Sequence, residues 1–140
     1  MVRNMKRADL DAVADIWLDT NLKAHNFIPA QYWRSHFEAV KGMLREAELY
    51  VWEDEGGVQG FVGLDGDYIA GIFVRDGARS RGIGKTLLDL AKSLRSSLTL
   101  NVYQRNSRAV SFYLREGFSL RSESVDENTG ETEYLMGWEI

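Results

Sequence analysis

At 140 residues, with 44% hydrophobic, 27% charged and 11% aromatic residues, the chain has the composition of one average globular domain, with enough apolar side chains for a core. A net charge of −4 weighs against nonspecific binding to nucleic acid or to an anionic membrane. The absence of cysteine excludes disulfides, thiolate metal sites and a cysteine nucleophile.

Residues 1–6 lead into polar sequence and not into the apolar segment of a signal peptide. No run approaches the roughly 20 apolar residues of a membrane span. A single cytoplasmic domain over residues 1–140 is expected, with no metal site.

In chain order, a short strand at residues 1–4 precedes a helix over 9–22, where Leu10, Val13, Ile16 and Trp17 recur at helical spacing. A loop over 23–28 ends at Pro29, which suits the first turn of a second helix. That helix runs to residue 47 with Tyr32, Trp33, Phe37, Val40 and Leu44 on one side. Residues 49–52 and 58–64 read as a hairpin around Glu53-Asp54-Glu55-Gly56-Gly57. Residues 68–74 are mostly apolar, as expected of a central strand. A helix over 82–95 carries Leu87, Leu88, Leu90, Ala91 and Leu94 as its buried stripe. Residues 98–103 alternate as a strand with Leu98, Leu100 and Val102 on one face. A short helix over 107–116 ends before Gly117, a suitable C′ residue. Two strands, 118–125 and 133–138, flank the turn Asn128-Thr129-Gly130. The order β-α-α-β-β-β-α-β-α-β-β predicts a mixed α/β domain with helices covering a central sheet.

The strongest chemical signal lies between strand 68–74 and the next helix: Arg79-Ser80-Arg81-Gly82-Ile83-Gly84-Lys85-Thr86. Glycines let the backbone turn its N–H groups toward an anion, and the helix start adds a positive dipole end. Arg79, Arg81 and Lys85 add formal charge. The turn reads as a phosphate or pyrophosphate site; a capped surface turn with solvated basic residues fits its residues equally well. A P-loop is matched only at Gly84-Lys85-Thr86, because Arg79 holds its leading position and no strand ending in a magnesium-binding Asp follows. A dinucleotide fingerprint fails at Leu87.

Arg79, Gly82 and Gly84 satisfy a third pattern, Arg/Gln-x-x-Gly-x-Gly/Ala. Downstream, Asn106, Ala109, Phe112, Tyr113, Gly117 and Phe118 satisfy Asn-x-x-Ala-x-x-Phe-Tyr-x-x-x-Gly-Phe. On these two motifs, in this order, the chain resembles the GNAT superfamily of N-acetyltransferases. Within it, the chain is most similar to short bacterial members with a Phe-Ile-x-x-x-Tyr-Trp segment, here Phe27, Ile28, Tyr32 and Trp33. The resemblance spans the whole chain in length and topology. It implies a mostly antiparallel sheet with helices on both faces, and acetyl-CoA as cosubstrate.

The resemblance also implies roles. The turn from Arg79 and Ser80 through Arg81, Gly82, Ile83, Gly84 and Lys85 would bind pyrophosphate through backbone amides. The backbone of Ile72, Phe73 and Val74 would pair with the pantetheine arm, and Asn106 would lie near that arm. An N–H near Val74 could serve the oxyanion. Tyr113 occupies the position of the acid that protonates the leaving sulfur; as a residue alone it also reads as a core aromatic beside Phe112. Asn106 reads as a helix N-cap as well.

Relatives that acetylate lysine or N-termini often place Glu on the fifth strand, where Asn101 stands here, and an amide takes no proton at neutral pH. No base is assigned. His25 is one candidate, and a loop histidine without a role is the plainer reading; Asp67 and Tyr103 are weaker alternatives. Phe27, Tyr32 and Trp33 could line the acceptor site or pack in the core. The expected activity is direct attack of a primary amine on the thioester. The acceptor would be a small molecule or a protein, and the enzyme a monomer or homodimer. A non-catalytic acetyl-CoA-binding module is the alternative.

Overall fold

The computed structural model describes residues 1–78 and 81–140. Its elements are Val2–Asn4 (β1), Leu10–Ala24 (α1), Ala30–Glu46 (α2), Glu48–Asp54 (β2), Gly57–Asp65 (β3), Tyr68–Val74 (β4), Ile83–Leu94 (α3), Ser97–Tyr103 (β5), Ser107–Arg115 (α4), Ser119–Val125 (β6) and Thr132–Glu139 (β7). This is the predicted order, with boundaries moved by one or two residues at most ends. Two 3-10 turns, Arg7–Asp9 and Asp76–Ala78, are additions that hydrophobic spacing does not signal. No helix among the described residues is long and apolar enough to cross a membrane.

The strands form one sheet in the order β1-β2-β3-β4-β5-β7-β6, and every pair is antiparallel except β4–β5. β4 is central, as its apolar run predicts. The last hairpin inserts β7 between β5 and β6, so β6 becomes the edge and buries no residue.

Strand alternation divides the core between the two faces. On one face, Val13 and Ile16 of α1 meet Leu49, Val51, Val58 and Phe61. On the other, Leu87, Leu88 and Ala91 of α3 meet Val62, Leu64, Ile69, Leu98, Leu100 and Val102. Full burial of each such aliphatic side chain stabilises by roughly 1.5–3 kcal/mol. Leu94, expected in the α3 stripe, is instead 41% exposed and lies outside this core. α2 buries only Trp33 and covers the sheet less completely than its aromatic side suggests.

β4 and β5 pair only through Tyr68↔Thr99 and Ile69↔Leu100. Next along β4, Ala70 is the extra residue of a bulge: Ile69 pairs with Leu64, and Gly71 pairs with Gly63. A bulge bends its strand, and past it β4 stays with β3 while β5 stays with β7. The centre of the sheet therefore opens between two strands that are both held on their far sides.

Candidate active site

The split leads into a cleft of about 1030 Å³. Its walls come from α1, β4, the start of α3, β5, α4 and Glu133 of β7. It gathers Ile72, Phe73, Val74, Gly82, Ile83, Gly84, Lys85, Asn101, Asn106, Tyr113 and His25, residues spread over most of the chain.

At one end stands the first turn of α3. Gly82 is its N-cap at φ 77°, in the left-handed region, and no side chain caps this helix start. The first-turn N–H groups are therefore left for an outside acceptor, and the dipole favours an anion there. Room is not the constraint at Gly82, since an added Cβ would meet no atom within 4 Å. The backbone angle is. We expect Gly82→Ala to cost about 1 kcal/mol, measured as a fall of roughly 3 °C in Tm.

The basic residues around this turn do not all face it. Lys85 donates to Glu116 Oε1 at 3.0 Å and lies 3.4 Å from Asp89. Arg81 donates to Asp54 Oδ2 at 3.1 Å and lies over the Trp52 ring, so its charge is directed away from the cleft. Arg79 and Ser80 lie outside the described residues. Lys85 still borders the cleft, and sequence reasoning missed two further cations that line it, Arg108 and Arg115 of α4, with Ser111 between them. The available signal was their spacing: 108, 111, 112 and 115 share one helical face.

In the middle of the cleft, β4 has no strand on its β5 side from Gly71 onward, so the Ile72–Val74 backbone borders the opening. Across from it stands Tyr113, packed between Phe112 and Phe118 at ring distances of 5.2 and 5.5 Å. Tyr113 is 8% exposed, and its hydroxyl makes no hydrogen bond among the described residues. Burial raises its pKa, so the phenol keeps its proton.

Asn106 caps α4, its Oδ1 accepting from Ala109 N–H at 3.3 Å. That bond turns the Asn106 amide nitrogen toward His25, where it donates to Nε2 at 3.0 Å. On the other side, Asn21 Nδ2 donates to the Trp17 carbonyl, which presents Asn21 Oδ1 to His25 Nδ1 at 2.8 Å. His25 is thereby assigned one neutral tautomer, protonated on Nδ1. The imidazole is further enclosed by Trp33, Phe27 and Tyr103 at ring distances of 5.6, 5.7 and 5.0 Å. Burial pulls its pKa from 6.5 down to about 4. This corrects His25 as a candidate base: its one lone pair is occupied, and its basicity is suppressed. Sequence inspection also missed that it ties the end of α1 to the start of α4.

At the far end, the Asn101 side chain accepts from the Tyr68 hydroxyl at 3.0 Å. Tyr103 donates to Asp126 Oδ2 at 2.7 Å, which with burial raises the pKa of its phenol. Glu133 stands opposite Tyr103 in the β5–β7 register. Phe27 does not line the cleft; it packs on His25 and Tyr103 under Arg105, whose guanidinium carbon is 4.7 Å from the ring centre. Asp67, at the β3–β4 turn, is outside the cleft as well.

The family model for the acetyltransferase (GNAT) domain matches residues 45–120. The peptidyl-lysine N-acetyltransferase YiaC of Escherichia coli is 34% identical over all of this chain and 97% of its own length. The Escherichia coli peptidyl-lysine N-acetyltransferase YjaB is 29% identical over 96% of this chain and 92% of its own. The solution structure of YjaB superposes with a TM-score of 0.88 at 28% identity, covering 99% of this chain and 96% of that one. A PaiA N-acetyltransferase from Thermoplasma acidophilum, solved with coenzyme A, shares the fold at a TM-score of 0.85 and 17% identity, covering 100% of this chain and 98% of that one. With matches over its whole length and a cleft built from both sequence motifs, the chain belongs to the GNAT acetyltransferase family and is an acetyl-CoA-dependent N-acetyltransferase.

Proposed function

We propose that residues 1–140 act as one cytoplasmic domain that acetylates lysine side chains of proteins by direct amine attack. The observation that carries this reading is the two-ended cleft. One end offers uncapped helix amides with Arg108 and Arg115. The other offers the Glu133 carboxylate beside Tyr68 and Tyr103, and Asp126, outside the lining, accepts the Tyr103 hydroxyl. An anion suits the first end and an ammonium group the second. The name of the YiaC relative, peptidyl-lysine N-acetyltransferase, supports the same acceptor. The wholly exposed β6 strand beside that end leaves room for a protein substrate.

Bound acetyl-CoA supplies the activated acetyl group. The residues of the chain hold and assist it. The amides of Gly82 through Lys85 bind the pyrophosphate, and Arg108 and Arg115 flank it. The free side of Ile72–Val74 bonds the pantetheine arm, with an N–H near Val74 facing the developing oxyanion. Asn106 borders the arm and holds His25. Tyr113 gives its proton to the departing sulfur.

Two measurements test the reading. Acetyl-CoA at ten times its Kd is expected to stabilise the fold by about 1.4 kcal/mol, roughly 4 °C in Tm. ATP with magnesium is expected to shift nothing, and an equal response to ATP would refute the anion end. For the acceptor, peptides with a blocked N-terminus and one internal lysine should release thiol. Turnover of small amines with none of the lysine peptides would overturn the protein acceptor.

A further inference from the structure

A base must come from what the cleft contains. Among the described residues, the only carboxylates lining it are Glu116 and Glu133. Glu116 stands at the α3 end and accepts from Lys85 at 3.0 Å, with its side chain only 14% exposed. Glu133 stands at the acceptor end and makes no hydrogen bond or ion pair among the described residues. The other basic atom in the cleft, His25 Nε2, is occupied by Asn106. The Asn101 amide has no basic lone pair, and its oxygen holds Tyr68.

Strand register places Glu133 where a base is useful. Thr99, Asn101 and Tyr103 alternate onto one face of β5, opposite Gly137, Leu135 and Glu133 of β7. Glu133 is therefore the direct neighbour of Tyr103 and the diagonal neighbour of Asn101, within reach of a long side chain. We propose that Glu133 is the catalytic base, taking the first proton from the incoming ammonium group. This rests on reading that end of the cleft as the acceptor site.

The proton balance is simple. An alkylammonium group loses two protons on becoming an N-alkyl acetamide. The first goes to the Glu133 carboxylate and then to solvent. The freed lone pair forms the C–N bond as the C–S bond breaks. The second proton leaves the nitrogen and balances the one that the sulfur receives through Tyr113.

The groups facing Glu133 suit this task. They are Tyr68 from β4, Tyr103 from β5, Asp126 from the β6–β7 turn and, beyond Asp126, Tyr32 from α2. Partial burial and then the Asp126 charge raise the Glu133 pKa, which strengthens it as a base.

The experiment compares wild type, Glu133→Gln and Glu133→Asp by thiol release, on a blocked lysine peptide and a panel of small primary amines, from pH 6 to 10. Glu133→Gln is expected to lose at least about 30-fold in kcat/KM for the amine at pH 7. Its KM for acetyl-CoA should stay within about twofold. The deficit should shrink toward pH 10, where a far larger fraction of the amine arrives neutral, and Glu133→Asp should recover part of the rate. A deficit under about threefold, or one equally large at pH 10, overturns the assignment. If the Gln variant does not fold, an Asp variant with an unaltered acid limb in its pH profile overturns it too. Wild-type turnover with an undiminished Gln variant removes Glu133 alone. No turnover of any amine by wild type removes the acceptor site and Glu133 with it.

Discussion

Replacing Tyr113 by phenylalanine is expected to lower kcat by roughly 10²–10³-fold while acetyl-CoA affinity changes by no more than about twofold. The ring of Tyr113 does the packing, against Phe112 and Phe118, and phenylalanine keeps that ring. The hydroxyl does no structural work among the described residues, since nothing there hydrogen-bonds it. The hydroxyl borders the cleft and gives no hydrogen bond to a described residue, so its removal forfeits no bond of the fold and Tm should hold. Burial keeps the phenol protonated through the neutral range, as a proton donor requires. Loss of rate with undiminished stability therefore isolates chemistry from folding. Unchanged kcat in Tyr113→Phe would show that the sulfur leaves without this acid.

The second large effect concerns stability against pH. His25 has a folded pKa of about 4 against 6.5 when free. Above pH 6.5 the imidazole is neutral in both states, and its contribution to stability is fully present. Between pH 6.5 and 4 the unfolded chain takes a proton that the folded chain refuses, so stability falls as pH falls. The loss between pH 7 and pH 4 amounts to about 3 kcal/mol. Protonating Nε2 would also set two donors face to face, because Asn106 already donates to that atom. Denaturant midpoints at pH 7, 5.5 and 4.5 read this directly. His25→Gln is expected to be less stable at pH 7 and to follow a flatter pH curve. The paired carboxylates of Asp9 and Glu53 have lowered pKa values and lose stability at still lower pH, in both proteins alike. Identical pH slopes would contradict the buried neutral histidine.

The parts of this molecule legible in the sequence are those that repeat locally. Leu98, Leu100 and Val102 mark a strand by alternation, and all three are buried. The Asn106 cap lies within one helical turn of its partner Ala109. What escaped reading depends on distant partners. Lys85 and Arg81 looked free to meet an anion until Glu116 and Asp54 were brought beside them from 31 and 27 residues away. His25 looked like an idle loop residue because the group that restrains its second nitrogen lies 81 positions downstream. Glu133 has no local mark as a base. Its place follows from β7 entering the sheet between β5 and β6, which periodicity does not reveal.

The bulge at Ala70 has a consequence for the energetics of the whole sheet. By parting β4 from β5 it gives up ladder bonds that an unbroken sheet would make, and it leaves a seam of backbone polar groups. On the placement proposed for the amide-bearing arm of the cosubstrate along Ile72–Val74, the ligand would serve as a missing strand. Cofactor affinity and fold stability would then draw on the same bonds. A mutation that closes the seam would make a sturdier protein and a poorer enzyme, whereas one that loosens β4 on β3 would weaken both together.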